Sequence, residues 1–425
     1  MQASLESARS VLELIAPGEA YIASLSMLWL ALSYQATGQE EVALDQLQRA
    51  LRGQSMQSNT TARLLFAQGA VYLAAGKLHL VVQTARHLLQ LALEADLALS
   101  QHWAHLMLGV AYYEWDNLDA AVYHFSAVLV DRHHAHLSAV RDSLCGLALT
   151  YQAQGLGKEA QETARSLLDV VQEEHNMGEL MIAYAFCGRL ALVQEDVEEA
   201  SRWLELAGEQ EVLGPMLFLE DPPITKARLL LAKGDEQSVA EGQALLTHLL
   251  QHVEAIHSTR KTIQVLALQA WAYDLQGREN EALEVLEQAP ALGRPGGFVR
   301  TFADLPPLTK VFQALRKRRR ARHAVDKHLD TYLHRIQVAM STLASPPRST
   351  GELLQQEGLE PLTERELQIL RLLERDLTNR EIASELVVTS GTVKVHTNNV
   401  YRKLCVKNRH GAVTLAKALG LLAAN

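Results

Sequence analysis

Residues 361–418 read PLTERELQILRLLERDLTNREIASELVVTSGTVKVHTNNVYRKLCVKNRHGAVTLAKA, a stretch that reads as four short helices. Thr363 is followed three residues on by Glu366, and Thr378 by Glu381. Each pair is a capping box, in which hydroxyl and carboxylate satisfy free amides at a helix N-terminus. Thr389, after Val387-Val388, opens a third helix that runs through Thr392, Val393 and Lys394 to about Leu404. On it Val393, Thr397, Val400 and Leu404 recur at four, three and four, the spacing of one inward face. Lys394, Asn398 and Arg402 fall on the other side, one turn apart. A core-packed helix that turns a Lys, an Asn and an Arg outward is what a helix-turn-helix presents to a major groove.

The charges are sorted along the same segment. From Ser390 to the C-terminus the ionised side chains are Lys394, Arg402, Lys403, Lys407, Arg409 and Lys417, with no Asp or Glu. The acids Glu364, Glu366, Glu374, Asp376, Glu381 and Glu385 all precede them. The positive end lies where the groove helix lies, and such a patch supplies the sequence-independent part of DNA affinity by neutralising phosphates.

The segment resembles the LuxR-type helix-turn-helix of bacterial transcription regulators. The matching residues include Leu362-Thr363, Arg365-Glu366, Ile369-Leu370, Thr378 to Ala383, Gly391 to Lys394, His396, Asn399, Tyr401 to Leu404, Val406, Asn408-Arg409 and Ala412. The resemblance implies base contacts at Lys394, Val395 and Asn398, with double-stranded DNA as the partner. It implies phosphate contacts around Thr389, Thr392, Lys407 and Arg409. Arg402 has two readings, a cation favoured by the dipole at a helix C-terminus or a further phosphate contact. His396 reads as a packing residue. Three positions depart from the pattern. Cys405 and Asp376 stand where glycine is common, and Thr397 replaces an apolar core residue, so some stability is expected to be lost with binding intact.

Outward from this segment, 425 residues suggest two to four domains. Hydrophobic content of 48% beside 21% charged residues describes a globular chain, and few aromatics with many Ala, Leu, Glu and Gln favour helix over sheet. A net charge of −9 argues against nucleic-acid binding over the whole surface and makes the local basic end more telling. Cys145, Cys187 and Cys405 are odd in number and far apart, which suits a reducing cytoplasm. The start, MQASLESARSVLEL, lacks the pattern of a signal peptide, and no apolar run reaches the roughly 18 residues of a membrane span. A cytoplasmic protein that does not engage a membrane is expected.

The first three hundred residues repeat one pattern: a small residue, an aromatic or large residue three later, a turn, then an Ala and a second helix. Ala31-Tyr34-Gly38-Ala43, Gly69-Tyr72-Gly76-Val81, Gly109-Tyr112-Asp116-Ala121 and Ala148-Tyr151-Gly155-Ala160 are four copies. Gly188-Ala191-Glu195-Ala200 and Ala227-Leu230-Gly234 are degraded, and Ala270-Tyr273-Gly277-Ala282 closes the series. The period exceeds the about 34 residues of a tetratricopeptide repeat, but the physical logic is shared. Small residues let two helices approach, the turn residue ends the first, and stacked hairpins bury a continuous core. The tyrosines read as core. A superhelix of this kind offers a concave surface for a small-molecule or protein ligand.

This arrangement resembles the helical sensor region of MalT-like regulators, the large ATP-binding LuxR-family proteins. The stretch Gly293 to Leu315 is similar to the segment that closes their repeats. Such regulators carry a nucleotide-binding switch upstream, whereas this sequence has no GxxxxGK[ST]; Gly155-Leu156-Gly157-Lys158 is the turn of a repeat. Either the chain is the C-terminal part of a split or truncated regulator, or regulation takes another route.

The reading is therefore all-α: a tetratricopeptide-like solenoid over 1–315, a connector over 316–358, and a four-helix LuxR-type domain over 359–425. The connector begins with the basic run Arg316 to Arg320 and Arg322 on a helix to about Leu343, then breaks at Ser345-Pro346-Pro347. The run reads as a solvated helix face, or as an extra phosphate or autoinhibitory contact. His133, His134 and His136 lack the spacing of a zinc site, no catalytic constellation stands out, and neither enzyme activity nor cofactor nor metal is expected. The expected function is a sequence-specific transcription activator, homo-oligomeric on DNA and working with RNA polymerase, whose repeats sense a ligand or self-associate. The rival is a repeat scaffold for a protein partner with a vestigial helix-turn-helix.

Overall fold

The computed structural model describes residues 6, 10, 20–52, 59–208, 219–321, 326–341, 362–386, 388–404, 406, 408–418 and 422. Among these there is no strand. Seven helical hairpins follow one another: α1 (Ala20–Gln35) with α2 (Glu40–Arg52), α3 (Asn59–Ala74) with α4 (Leu78–Glu94), and α5 (Ala98–Glu114) with α6 (Leu118–Val130). They continue as α7 (Leu137–Ala153) with α8 (Gly157–Glu173), and α9 (Met177–Val193) with α10 (Val197–Ala207). The last two are α11 (Pro222–Lys233) with α12 (Glu236–Ala255), and α13 (Thr259–Leu275) with α14 (Glu279–Gly293).

The turn residue expected in each copy is the one with a left-handed backbone. Gly38, Gly76, Asp116, Gly155, Glu195, Gly234 and Gly277 all have positive φ, between 61° and 77°. Around them the N–H of Gln39, Lys77, Asn117, Leu156 and Arg278 reaches the carbonyl of the repeat tyrosine five residues back, at 2.8–2.9 Å. These are the 6→1 bonds of a Schellman cap, which is why a left-handed residue recurs there. Glu195 holds this conformation with a Cβ (φ 64°), against about 1–2 kcal/mol for an L-residue. Glu195→Gly is therefore expected to stabilise the repeat domain by about 1 kcal/mol, read as a higher denaturation midpoint; an unchanged or lower midpoint would contradict the strain.

The two helices of a hairpin are buried differently. Every residue of α5 from Ala104 to Glu114, and of α7 from Ala139 to Thr150, is buried. By contrast α4 and α8 bury a single stripe, such as Ala160, Ala164, Leu167 and Val171. The first helices thus form an inner layer and the second helices an outer one. Glycines bring the layers together: a Cβ on Gly109 or Gly146 would stand 2.6 or 2.3 Å from the Phe125 ring.

The array then closes on itself. After α14 come α15 (Arg300–Ala303), α16 (Thr309–Ala321) and α17 (Lys327–Ser341), and the start of α15 meets the end of α5. Val299 N–H donates to the Glu114 carbonyl (2.7 Å) and the Trp115 indole to the Gly296 carbonyl (2.7 Å). Farther along, the Gln35 side-chain amide donates to the His257 carbonyl (3.2 Å). The concave surface expected of an open superhelix is consequently filled where the first helices converge. Arg141, Arg189, Arg228, Arg260 and Arg300 are buried there among Glu114, Asp142, Glu220 and Asp304. Burial pushes the carboxyls of Glu114, Asp142 and Glu220 up. Burial, with Arg189 beside it, brings the Arg228 guanidinium down to about 10.

The basic run lies at the end of α16, which packs with α17 against the last hairpin. Arg319 is buried in ion pairs to Glu287 and to Asp330 (2.8 Å), Arg318 reaches Glu287 (3.4 Å), and Arg316 bonds Gln337. A single helix to about Leu343 is thus replaced by two, with Glu287 and Asp330 pairing to Arg318 and Arg319 in the middle of the run. Arg322 and the proline-containing stretch lie outside the described residues. No described helix is long and apolar enough to cross a membrane.

Candidate nucleic-acid interface

The C-terminal domain is built from α18 (Glu364–Glu374), α19 (Asn379–Glu385), α20 (Ser390–Lys403) and α21 (Arg409–Ala418). Both capping boxes form: Glu366 N–H to the Thr363 hydroxyl (3.3 Å) with Thr363 N–H to the Glu366 carboxylate (2.7 Å), and the same pairing of Thr378 with Glu381 (3.4 and 2.7 Å). Thr389 caps α20 by accepting from Thr392 N–H (3.1 Å). These local bonds fix where each helix starts and so which side chains face inward.

Val393, Thr397, Val400 and Leu404 are all buried, as their spacing predicts. Val393 joins Ile369, Leu372, Leu373, Ile382 and Ala383, while Val400 and Leu404 join Leu370, Val406, Ala412 and Ala416. Half-buried Tyr401 packs on both clusters. Thr397 is 4% exposed and its hydroxyl has no hydrogen-bond partner among the described residues. An unsatisfied buried hydroxyl costs about 1–3 kcal/mol. Thr397→Val keeps the shape and removes the hydroxyl, so the domain is expected to gain about 1 kcal/mol. A thermal melt followed at α20 checks this, and a loss of stability would sink it.

Polar links tie the reading helix to its support. Lys403 on α20 pairs with Glu366 on α18 at 2.8 Å, and both side chains are at least nine-tenths covered. Burial raises the Glu366 carboxyl, but the Lys403 bond and the two bonds from Thr363 outweigh it, so the group is held below its usual range. Arg365 donates to the Leu386 carbonyl (3.0 Å) at the end of α19. Arg409 donates to the carbonyls of Leu373 (2.6 Å) and Leu377 (2.7 Å), beside Asp376 at 3.3 Å. Asp376 has a φ of 62°, the left-handed conformation for which glycine is the common choice. The bracing roles of Arg365, Lys403 and Arg409 are missed by the sequence, because their partners are backbone carbonyls or a carboxylate on another helix.

Held this way, α20 turns Lys394, Val395, Asn398 and Arg402 to the outside. Val395 is 60% exposed, an apolar side chain placed beside two polar ones on an otherwise polar face. Thr389 and Thr392 are near the helix start, Thr389 exposed and Thr392 half-buried, with their hydroxyls hydrogen-bonded to each other at 2.8 Å. Arg409 sits at the start of α21, its guanidinium engaged as described, and His396 is half-buried. Lys407 and Cys405 lie outside the described residues. One helix thus brings together the three base-contact candidates with Thr389, Thr392 and Arg402. The face can donate from a cation, donate and accept through an amide, and offer a methyl-sized contact, which is the chemistry of a base-pair edge in the major groove.

The histidines elsewhere do local work: His134 bonds Asp131 (2.7 Å) and His136 caps α7 by accepting from Ser138 N–H (3.3 Å).

Two family profiles match the chain. The MalT-like TPR region covers residues 1–318, and the bacterial regulatory proteins of the luxR family cover residues 360–416. Among solved structures, a monomeric mutant of IFIT1 with Gppp-AAAA is similar at 13% identity, over 94% of this chain and 86% of that one, with a TM-score of 0.38. The TPR domain of P58(IPK) is similar at 12% identity, over 80% of this chain and 98% of that one, with a TM-score of 0.20.

Proposed function

Because the chain belongs to the family of the MalT-like TPR region and is a DNA-binding transcription regulator of luxR type, we propose that α20 reads its operator through Lys394, Val395 and Asn398. Lys394 donates to a guanine edge or a nearby phosphate, Asn398 pairs with a base edge, and Val395 meets a thymine methyl. Thr389, Thr392, Arg402 and Lys407 hold the flanking phosphates, and Arg409 adds whatever donors its bonds to the carbonyls of 373 and 377 leave over. The observation that carries this reading is the division of α20 into a buried inward face and an exposed face of reading residues.

One small reader grips few base pairs, so two or more copies bind repeated half-sites, and self-association of the repeats would gather them. In this reading the protein is an activator that works beside RNA polymerase. Ligand sensing falls to the repeats, and what supports it is a cleft of about 550 Å³ lined by His79, Gln83, Arg86, Tyr112, Trp115 and Asn117. There an Arg86 guanidinium donates to the Tyr112 hydroxyl at 2.6 Å.

The test is selection of bound fragments from a duplex library, by wild type and by a Lys394→Ala, Asn398→Ala variant, at two salt concentrations. Enrichment of defined sites by wild type alone is expected. If both proteins enrich the same sites, α20 is not the reader.

A further inference from the structure

Helix α6 differs from the other outer helices in its sequence. α2, α8, α10 and α14 carry charged residues along their exposed faces, as in GKEAQETARSLLDVVQE. α6 reads LDAAVYHFSAVLV and has no Asp, Glu, Lys or Arg from Ala120 to Val130. An outward face of that composition is written to be covered.

The cover is the reader. Phe125, Ala121 and Val128 point into the repeat core, but Tyr123 belongs to the apolar cluster of Leu370, Val400, Leu404, Ala412 and Ala416, with Val130 packed against it. Tyr123 is left 4% exposed. Val130 and Gly411 come close together: a Cβ on the glycine would stand 2.3 Å from Val130 Cγ1. Only a glycine lets the first turn of α21 come this near. Two independent features, the uncharged face of α6 and the glycine opposite it, therefore fit one occupant.

We propose that the outward face of α6 is a seat for the reader of the same chain, occupied by α21. The grip is on the back of the reader, since Lys394, Val395 and Asn398 lie outside the packed cluster and stay exposed. Within one chain the seat does not need the roughly 800 Å² per partner of a stable complex between separate proteins. The two parts belong to one chain, so the contact forms within a molecule and its second partner is always at hand. While it is seated, the apolar face of α21 is closed to any other partner, a second reader included. The seat also adjoins the cleft of the repeats: Tyr112 stacks on His124 (5.4 Å, 4° between planes), and His124 meets Tyr123 edge-on at 4.8 Å.

A disulfide tests the seat without any use of DNA binding, so its outcome is separate from that of the proposed reading of DNA. In the full chain with Cys405→Ser, the pair Val130→Cys and Gly411→Cys places two β-carbons at most about 3.8 Å apart, the ordinary disulfide spacing. Mild oxidation is expected to link them within one chain, giving a monomer whose gel mobility shifts and reverts with reductant, while either single cysteine gives no shift. In parallel, Val130→Asp, which leaves the reader's own residues untouched, is expected to speed hydrogen exchange in 409–418 at least tenfold and leave 139–150 unchanged. Failure of the monomer to cross-link would overturn the seat. Linkage only between chains would overturn the choice of occupant, and unchanged exchange in the Val130→Asp protein would overturn the packing of α21 on α6.

Discussion

Replacing Glu114 by glutamine is expected to destabilise the repeat domain by about 3 kcal/mol, the range seen when one partner of a buried ionic pair is removed. Glu114 is 3% exposed at the end of α5. Its carboxylate accepts from the Thr301 backbone N–H (3.0 Å) and from the Thr301 hydroxyl (2.9 Å). Arg260 supplies the largest favourable charge at the Glu114 carboxyl, and it too is buried. Glutamine can accept from the Thr301 amide through its oxygen, but it turns an N–H₂ toward groups that met an anion and leaves the Arg260 cation without that counter-charge. These bonds join residues 187 apart, so breaking them loosens the closure of the whole array and not one hairpin. Urea denaturation of the full chain would read the destabilisation as a lower midpoint, and small-angle scattering would read a larger radius if the array opens. Glu40→Gln is the control: its partner Lys77 lies at 2.7 Å, but the lysine side chain is 48% exposed, and such pairs contribute little. Equal effects at Glu114 and Glu40 would refute the claim that the inner network closes the superhelix.

Neither Glu114 nor Glu40 announces its environment in the sequence, whereas the turn residues do. Asp116 and Glu195 are recognisable as such, although neither is a glycine, because the small-residue spacing puts them in register with Gly76 and Gly155. Thr363 with Glu366, and Thr378 with Glu381, are recognisable because a capping box is completed within four residues. The inward face of α20 follows from the helical period alone. All of these are local signals.

The inner network is not legible for the opposite reason. Arg141, Arg189, Arg228, Arg260 and Arg300 sit on helices that, as strings, could turn a charge to water. Their burial depends on superhelix pitch, which arises from small rotations summed over seven hairpins. No window of sequence contains Glu114 and Thr301 together. The same holds for Arg318 and Arg319, whose partner Glu287 lies about thirty residues earlier; read alone, the basic run looks like a connector. Within the reader, the outward residues are visible from the helical period and the LuxR-type resemblance. The bracing by Arg409 is hidden, because an arginine bonded to carbonyls leaves no pattern in side-chain type.

The second large effect is expected on DNA. With Lys394→Ala and Asn398→Ala combined, affinity for a selected site should fall by about 10²–10⁴-fold, since each good base contact discriminates by about 1–3 kcal/mol and 1.4 kcal/mol is tenfold. Both side chains are exposed and neither belongs to the packed face of α20, so the melting temperature of the domain should hold. Binding to an unrelated duplex should weaken far less, because at most one phosphate-neutralising cation is removed. Arg402→Ala makes the contrast. If Arg402 neutralises a phosphate, its removal would weaken binding to all sequences alike and reduce the slope of log affinity against log salt by about one. Discrimination and salt slope therefore separate the two classes of residue on one helix. A double variant that still prefers its selected site would move the reading residues off α20 and favour the rival, a repeat scaffold whose helix-turn-helix no longer reads. Retained folding with abolished discrimination leaves no such alternative, because the only groups removed are those that α20 holds away from its own core.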